Sequence, residues 1–241
     1  MKKKDCLFIL PILMAVFFLP SCSARISGSL GEDGSGSFTL QATLEKRMTA
    51  LIRSLSVLAG SSSALSPEAP VIDGPAIAAS MAAAPGMRSV FLHNTAPAAI
   101  EGDIQISRID EFLSLPGGGG RFISYTPVPG RLSVTLDRNS GPRIIALLSA
   151  EAVDYLSALM APVVTGEDLS REEYLKLVAS VYGKAIADEI AAARLSLSVD
   201  FPGPLQSVRG GTFSGRRAEF LVPLADLFVL DRPLEYEARW K

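Results

Sequence analysis

The chain has 241 residues, with 23 Lys and Arg against 25 Asp and Glu for a formal net charge of −2. One His and two Cys are too few for a Cys/His zinc site, an iron–sulfur cluster or a disulfide framework, and the near-neutral balance lacks the concentrated basic surface that nucleic acid requires. With 48% hydrophobic and 20% charged residues the chain is too apolar to be disordered.

Lys2, Lys3 and Lys4 form a positive start, followed by Leu7 to Leu19, a 13-residue run without charge. The run is shorter than the roughly 18 residues of a spanning helix, and it matches the apolar part of a secretory signal. Pro11 within it also disfavours a permanent membrane helix. Leu19-Pro20-Ser21-Cys22 comes next. This resembles a bacterial lipoprotein box, where a signal peptidase cuts before a cysteine that becomes diacylated; Pro20 departs from the usual small or β-branched residue. The alternative is a plain secretory signal with an incidental cysteine. The lipoprotein reading makes residues 1–21 a signal peptide and Cys22 the lipidation site. Residues 22–241 are then one exported domain in the bacterial cell envelope. Two acyl chains, at about 0.8 kcal/mol per buried CH₂, hold a protein stably where one is marginal. The membrane is therefore an expected partner through the acyl chains on Cys22.

Ala24 to Leu30 alternates, Gly31-Glu32-Asp33-Gly34-Ser35-Gly36 supplies turn chemistry, and Phe38, Leu40 and Ala42 resume the alternation. This predicts a β-hairpin leading into a helix over 44–58, whose stripe is Leu44, Met48, Leu51, Leu55 and Leu58. Residues 60–75, rich in Ser and Pro, read as a loop, and Ala76 to Ala84 as a short helix. Strands are expected at Arg88–Asn94, Ala99–Ser107, Arg121–Thr126 and Arg131–Leu136, with a helical turn or two from Arg108 to Leu115. Gly117 to Gly120 reads as a loop tip, and Asp137 to Gly141 as a connection to Arg143–Leu148.

A helix capped by Ser149 should end at Pro162. A second, over 170–193, opens with a Ser170/Glu173 capping box and a Leu169/Tyr174 staple, and repeats Leu175, Val178, Tyr182, Ile186 and Ile190 at helical spacing. Arg194 to Phe201 alternates, Pro202-Gly203-Pro204 stops it, and strands at 211–215, 218–223 and 234–240 complete the chain. The order predicts an α+β fold, a largely antiparallel twisted sheet packed against two or three amphipathic helices near 44–58, 149–160 and 170–193.

Catalytic signals are weak. Gly117–Gly120 lacks a following Lys-Ser/Thr pair, and Asp33-Gly34-Ser35-Gly36 leads into a strand, so both read as turns. Neither Gly34-Ser35-Gly36 nor Gly211–Gly215 has the spacing of a nucleophile elbow. His93 stands beside Asn94 at a strand end and reads as an edge histidine. Asp200, Glu219, Asp226, Asp231, Glu235 and Glu237 are scattered over the C-terminal strands, and nothing singles out a pair. No catalytic residue, metal ligand or cofactor is expected. A binding role would show as a continuous apolar cavity of several hundred Å³ beneath the sheet, a protein-contact role as a filled core with an exposed apolar patch, and a hydrolase as two carboxylates within about 5–9.5 Å in a cleft. Ligand-binding residues are not legible.

The hairpin Ile26…Asp33-Gly34-Ser35-Gly36-Ser37-Phe38 is one half of a recognisable pattern. The other is the run Leu195–Phe201, Pro202-Gly203-Pro204, Gly210-Gly211, Arg217–Pro223 and Leu224-Ala225-Asp226-Leu227, ending at Trp240. Together they resemble the LppM-type domain of bacterial lipoproteins, with 60–148 unmatched. The resemblance implies an exported, lipid-anchored α+β domain with an envelope role, proposed in some members to be lipid or glycolipid binding, and no established catalysis. The expected function is a non-catalytic envelope lipoprotein that binds a lipid-like or glycolipid ligand. The alternative is a structural or assembly lipoprotein contacting other envelope proteins.

Overall fold

The computed structural model describes residues 23–58, 66, 68–112, 123–141, 145 and 150–241. The signal segment 1–21, Cys22, Gly117–Gly120, the Ser149 cap and most of the 143–148 segment and the start of the 60–75 loop lie outside them.

Strands β1 (Ser23–Leu30) and β2 (Gly36–Thr43) form the predicted hairpin. Its turn is closed by the Asp33 carboxylate, which accepts from the Ser35 amide (3.0 Å) and hydroxyl (2.6 Å). Gly34 supplies the positive φ of 80° that the turn needs. These contacts hold the Asp33 carboxyl below the usual aspartate value. Helix α1 (Lys46–Leu58) follows, then α2 (Gly74–Ala82), β3 (Met87–Ala96) and β4 (Ala99–Ile106). Helix α2 begins two residues before the predicted Ala76, because Asp73 accepts from the Ala76 amide (2.9 Å) and Pro75 suits the first turn.

The short helix α3 (Ile109–Phe112) precedes β5 (Ile123–Thr126) and β6 (Gly130–Leu136). Arg138–Ser140 is a 3-10 turn capped by Asp137. Helices α4 (Ala150–Ala158), α5 (Pro162–Thr165), α6 (Arg171–Tyr182) and α7 (Lys184–Ala192) come next. Strands β7 (Arg194–Asp200), β8 (Leu205–Arg209), β9 (Gly211–Ser214) and β10 (Arg217–Pro223), helix α8 (Leu224–Val229) and β11 (Leu234–Trp240) complete the chain.

Two readings change. The helix expected over 170–193 is two, because Gly183 (φ 90°, ψ 153°) breaks the chain between α6 and α7. The apolar spacing runs through the break because both halves bury against one cluster. Pro162 starts α5 instead of merely ending the preceding helix; as a first-turn residue it gives up no intrahelical hydrogen bond. Strand β8 is an addition to the predicted elements.

The fold is α+β with a large, mostly antiparallel sheet. Among the described residues seven strands lie in the order β3-β4-β2-β1-β7-β10-β9, and only β1 and β7 pair in parallel. A second sheet has the order β5-β6-β11-β8. The chain passes from the second sheet to the first at Gly210, whose φ of 75° allows the bend between β8 and β9. One face of the large sheet (Ile104, Val199, Phe220) meets one face of the small one (Leu205, Ala238, Trp240) in an aromatic-rich core. Phe201 and Trp240 lie with ring centres 5.0 Å apart, and Tyr125 and Trp240 6.0 Å apart. The helices α1, α6, α7 and α8 assemble a separate cluster around Tyr174, Val178 and Ile190.

Candidate functional site: an apolar groove between helices

Helix α1 offers Met48 and Ile52, four residues apart and therefore on one face. Facing them are Tyr155, Leu156 and Leu159 from α4 and its end, Ile190 and Ala193 from α7 and its end, and Leu224 and Phe228 from α8. Together with Leu44 they wall an open apolar groove of about 240 Å³, which lies among helices and is smaller than the cavity of several hundred Å³ expected beneath the sheet. The wall is braced from behind by Tyr174, which is fully buried and meets Phe228 edge to face at 6.4 Å. Burial pushes the Tyr174 hydroxyl well above the usual tyrosine range, with Tyr182 adding to the shift, so it stays a neutral phenol.

The two polar side chains that line the groove, Glu189 and Tyr155, are engaged with protein, while the buried Tyr174 hydroxyl behind the wall has no hydrogen-bond partner. Glu189 accepts from the Met48 amide at 3.1 Å, filling an open donor at the start of α1, and stands 3.6 Å from Arg47. Tyr155 shares a hydrogen bond with Ser56 (2.9 Å). The lining carries no Lys or Arg. Chemically, such a groove selects an uncharged hydrocarbon chain, gaining about 0.8 kcal/mol per methylene removed from water.

Comparison with known proteins finds no protein-family model and no curated protein that matches this chain. Among solved structures it is similar to the folded domain of the Mycobacterium tuberculosis LppM protein, determined by NMR. The identity is 11%, the likeness covers 92% of this chain and 90% of that one, and the TM-score is 0.42. The resemblance to LppM is structural only, with no sequence family behind it.

The other residues singled out by sequence are dispersed. Asp200 pairs with Arg217 (2.5 Å), Glu235 with Arg209 (3.0 Å), and Glu237 with both Arg131 and Arg239 (2.6 Å each). Arg217 holds the Asp200 carboxyl below its usual value, and Arg239 with Arg131 does the same for Glu237. These groups are anions at neutral pH, tied to cations, which is the opposite of a poised general acid. Asp231 accepts from the Arg171 amide (3.0 Å), and Asp226 is buried beside Arg171 (2.9 Å) and Arg232 (3.5 Å). Glu219 lines a shallow concavity of about 590 Å³ on the outer face of the large sheet, with Arg25, Ser27 and Ser198 beside Leu221. His93 lies on that same outer face, 3.5 Å from Glu101. The Asn94 side chain donates to the Ile72 carbonyl and accepts from the Gly74 amide at the start of α2. Among the described residues no group of three or more His, Cys, Asp or Glu is placed to hold a metal, and no helix is long and apolar enough to cross a membrane.

The sequence stripe marked Leu44, Met48 and Ile190 as core positions but missed Ile52, Leu156 and Phe228 as groove residues. The four-residue step from Met48 to Ile52 was the one local signal available. The groove itself has none, since its walls come from helices far apart in the chain.

Proposed function

We propose that this protein is a non-catalytic bacterial envelope lipoprotein, held to a membrane by acyl chains on Cys22, whose helical groove takes a lipid-like or glycolipid ligand. The observation that carries the reading is the groove between α1, α4, α7 and α8, lined by apolar side chains, with Glu189 and Tyr155 of its lining already bonded to protein. The charge-free run Leu7 to Leu19 followed by Cys22 supports the anchor.

Two measurements test it. Native mass spectrometry of the 23–241 chain purified from bacteria is expected to show a bound lipid, lost in Leu156→Trp, which fills the groove from the α4 wall. Consistent absence of lipid from the folded parent would remove the ligand reading. Cys22→Ala is expected to move the full chain from the membrane to the soluble fraction, and continued sedimentation with membranes would mean another anchor. The alternative, a structural role against other envelope proteins, draws on Phe91 and Leu221, which stand 65% and 57% exposed on the outer sheet face.

A further inference from the structure

Three residues that line the groove adjoin strand ends beside the start of β1. Ser23, the first residue of β1, pairs with Thr43 of β2 on one side and Arg194 of β7 on the other. The residue after Thr43 is Leu44, and the residue before Arg194 is Ala193; both line the groove. Arg194 pairs in turn with Pro223, the last residue of β10, and the next residue, Leu224, lines it as well. The Leu224 amide donates to the Ala193 carbonyl at 3.0 Å, fastening two of these residues together. Three strand ends in line with Ser23 thus run directly into the groove wall. Covalent geometry puts the Cα of Cys22 about 3.8 Å from that of Ser23, and neighbouring strands lie about 4.8 Å apart. The described chain thus begins at Ser23, one strand spacing from residues that lead directly into the groove wall.

The chemistry of the lining narrows the occupant. A free fatty acid or an anionic phospholipid brings a charge that needs a cation or donors. The one acidic lining residue, Glu189, stands 3.6 Å from Arg47 and offers no donor to a carboxylate or phosphate, and no lining residue is Lys or Arg. An acyl chain already joined to the protein through a neutral ester or amide brings no such charge, and its tether removes most of the entropic cost of association.

We infer that the groove receives the protein's own lipid: a fatty acyl chain carried on Cys22 folds back past Ser23 and lies between α1 and α7. The inference rests on the acylation proposed above and names the occupant of the same groove. In the docked state that chain is shielded from water and withdrawn from the bilayer, so groove and membrane compete for it.

The test uses full-length protein from cells fed a diazirine-bearing palmitate analogue, irradiated in isolated membranes, digested and mapped by mass spectrometry. Cross-links from the Cys22 peptide to peptides containing Met48 and Ile52, or Ile190 and Ala193, are expected. Leu156→Trp, at a half-buried position on the α4 wall, should lose them while its circular dichroism and unfolding temperature match the parent. Leu44→Trp, also half-buried at the groove, serves if the first variant is unstable. Label on Cys22 with cross-links only to phospholipid would overturn the inference and leave the anchor intact. Absence of label from Cys22 would overturn the acylation and the inference with it.

Discussion

Gly183 and Gly130 are both required, for opposite reasons. At Gly183 the backbone takes φ 90° and ψ 153°, a region open almost only to glycine, and an added Cβ would meet nothing within 4 Å. At Gly130 an added Cβ would lie 2.3 Å from the Trp240 ring nitrogen. Gly183→Ala is expected to cost about 1–3 kcal/mol through backbone strain alone. Gly130→Ala should cost a similar ~1–3 kcal/mol by overpacking the sheet–sheet core. Urea midpoints would measure both losses. Trp240 is the single tryptophan, so its fluorescence should shift for Gly130→Ala and stay unchanged for Gly183→Ala. The Gly183 break was invisible in sequence because Val178, Tyr182, Ile186 and Ile190 keep helical spacing across it, and a glycine within a helical pattern reads as tolerated.

Elements are joined by few but specific polar contacts. Asp226 of α8 is 5% exposed and sits against Arg171 in the first turn of α6, while Asp231 just beyond α8 takes the Arg171 amide. Asp226→Asn keeps the shape and removes the charge that binds the two helices, so a loss of about 1–3 kcal/mol is expected in chemical denaturation. Asp168→Asn, which removes only the exposed partner of Arg138, should change stability by less than about 1 kcal/mol. The Ser170/Glu173 box at the start of α6 was fully legible, and both of its reciprocal hydrogen bonds form. A cap involves residues three apart and is written locally. The Asp226 contact joins residues 55 positions apart in the chain, and no local pattern announces it.

Across the whole molecule, both sheets carry carboxylates stabilised as anions: Asp200 against Arg217 between β7 and β10, and Glu237 against Arg239 and Arg131 between β11 and β6. Their folded-state pKa values are depressed. The stability they contribute is present above the unfolded-state values and is lost as pH falls through the lower folded-state ones. Glu237→Gln should therefore lower the unfolding temperature at pH 7, with the gap to the parent closing in acid below the ordinary glutamate range. A gap that held constant into strong acid would show that Glu237 acts through packing. Added salt should narrow the difference at neutral pH, since the arginine partners are about half exposed.

The sequence by itself determined the local geometry: the Asp33-Gly34 hairpin, the alternating strands of both halves, the amphipathic face of α1 and the capped start of α6. Each of these depends on residues a few positions apart, where periodicity and side-chain capping act directly on the backbone. Tertiary structure decided that β1 lies beside β7 in parallel, that a second sheet covers the first, and that four separated helices leave an apolar groove. Those outcomes follow from strand pairing and burial between residues as distant as Ser23 and Arg194, and hydrophobic contact is non-directional, so a local pattern states which side chains must be buried without stating against what.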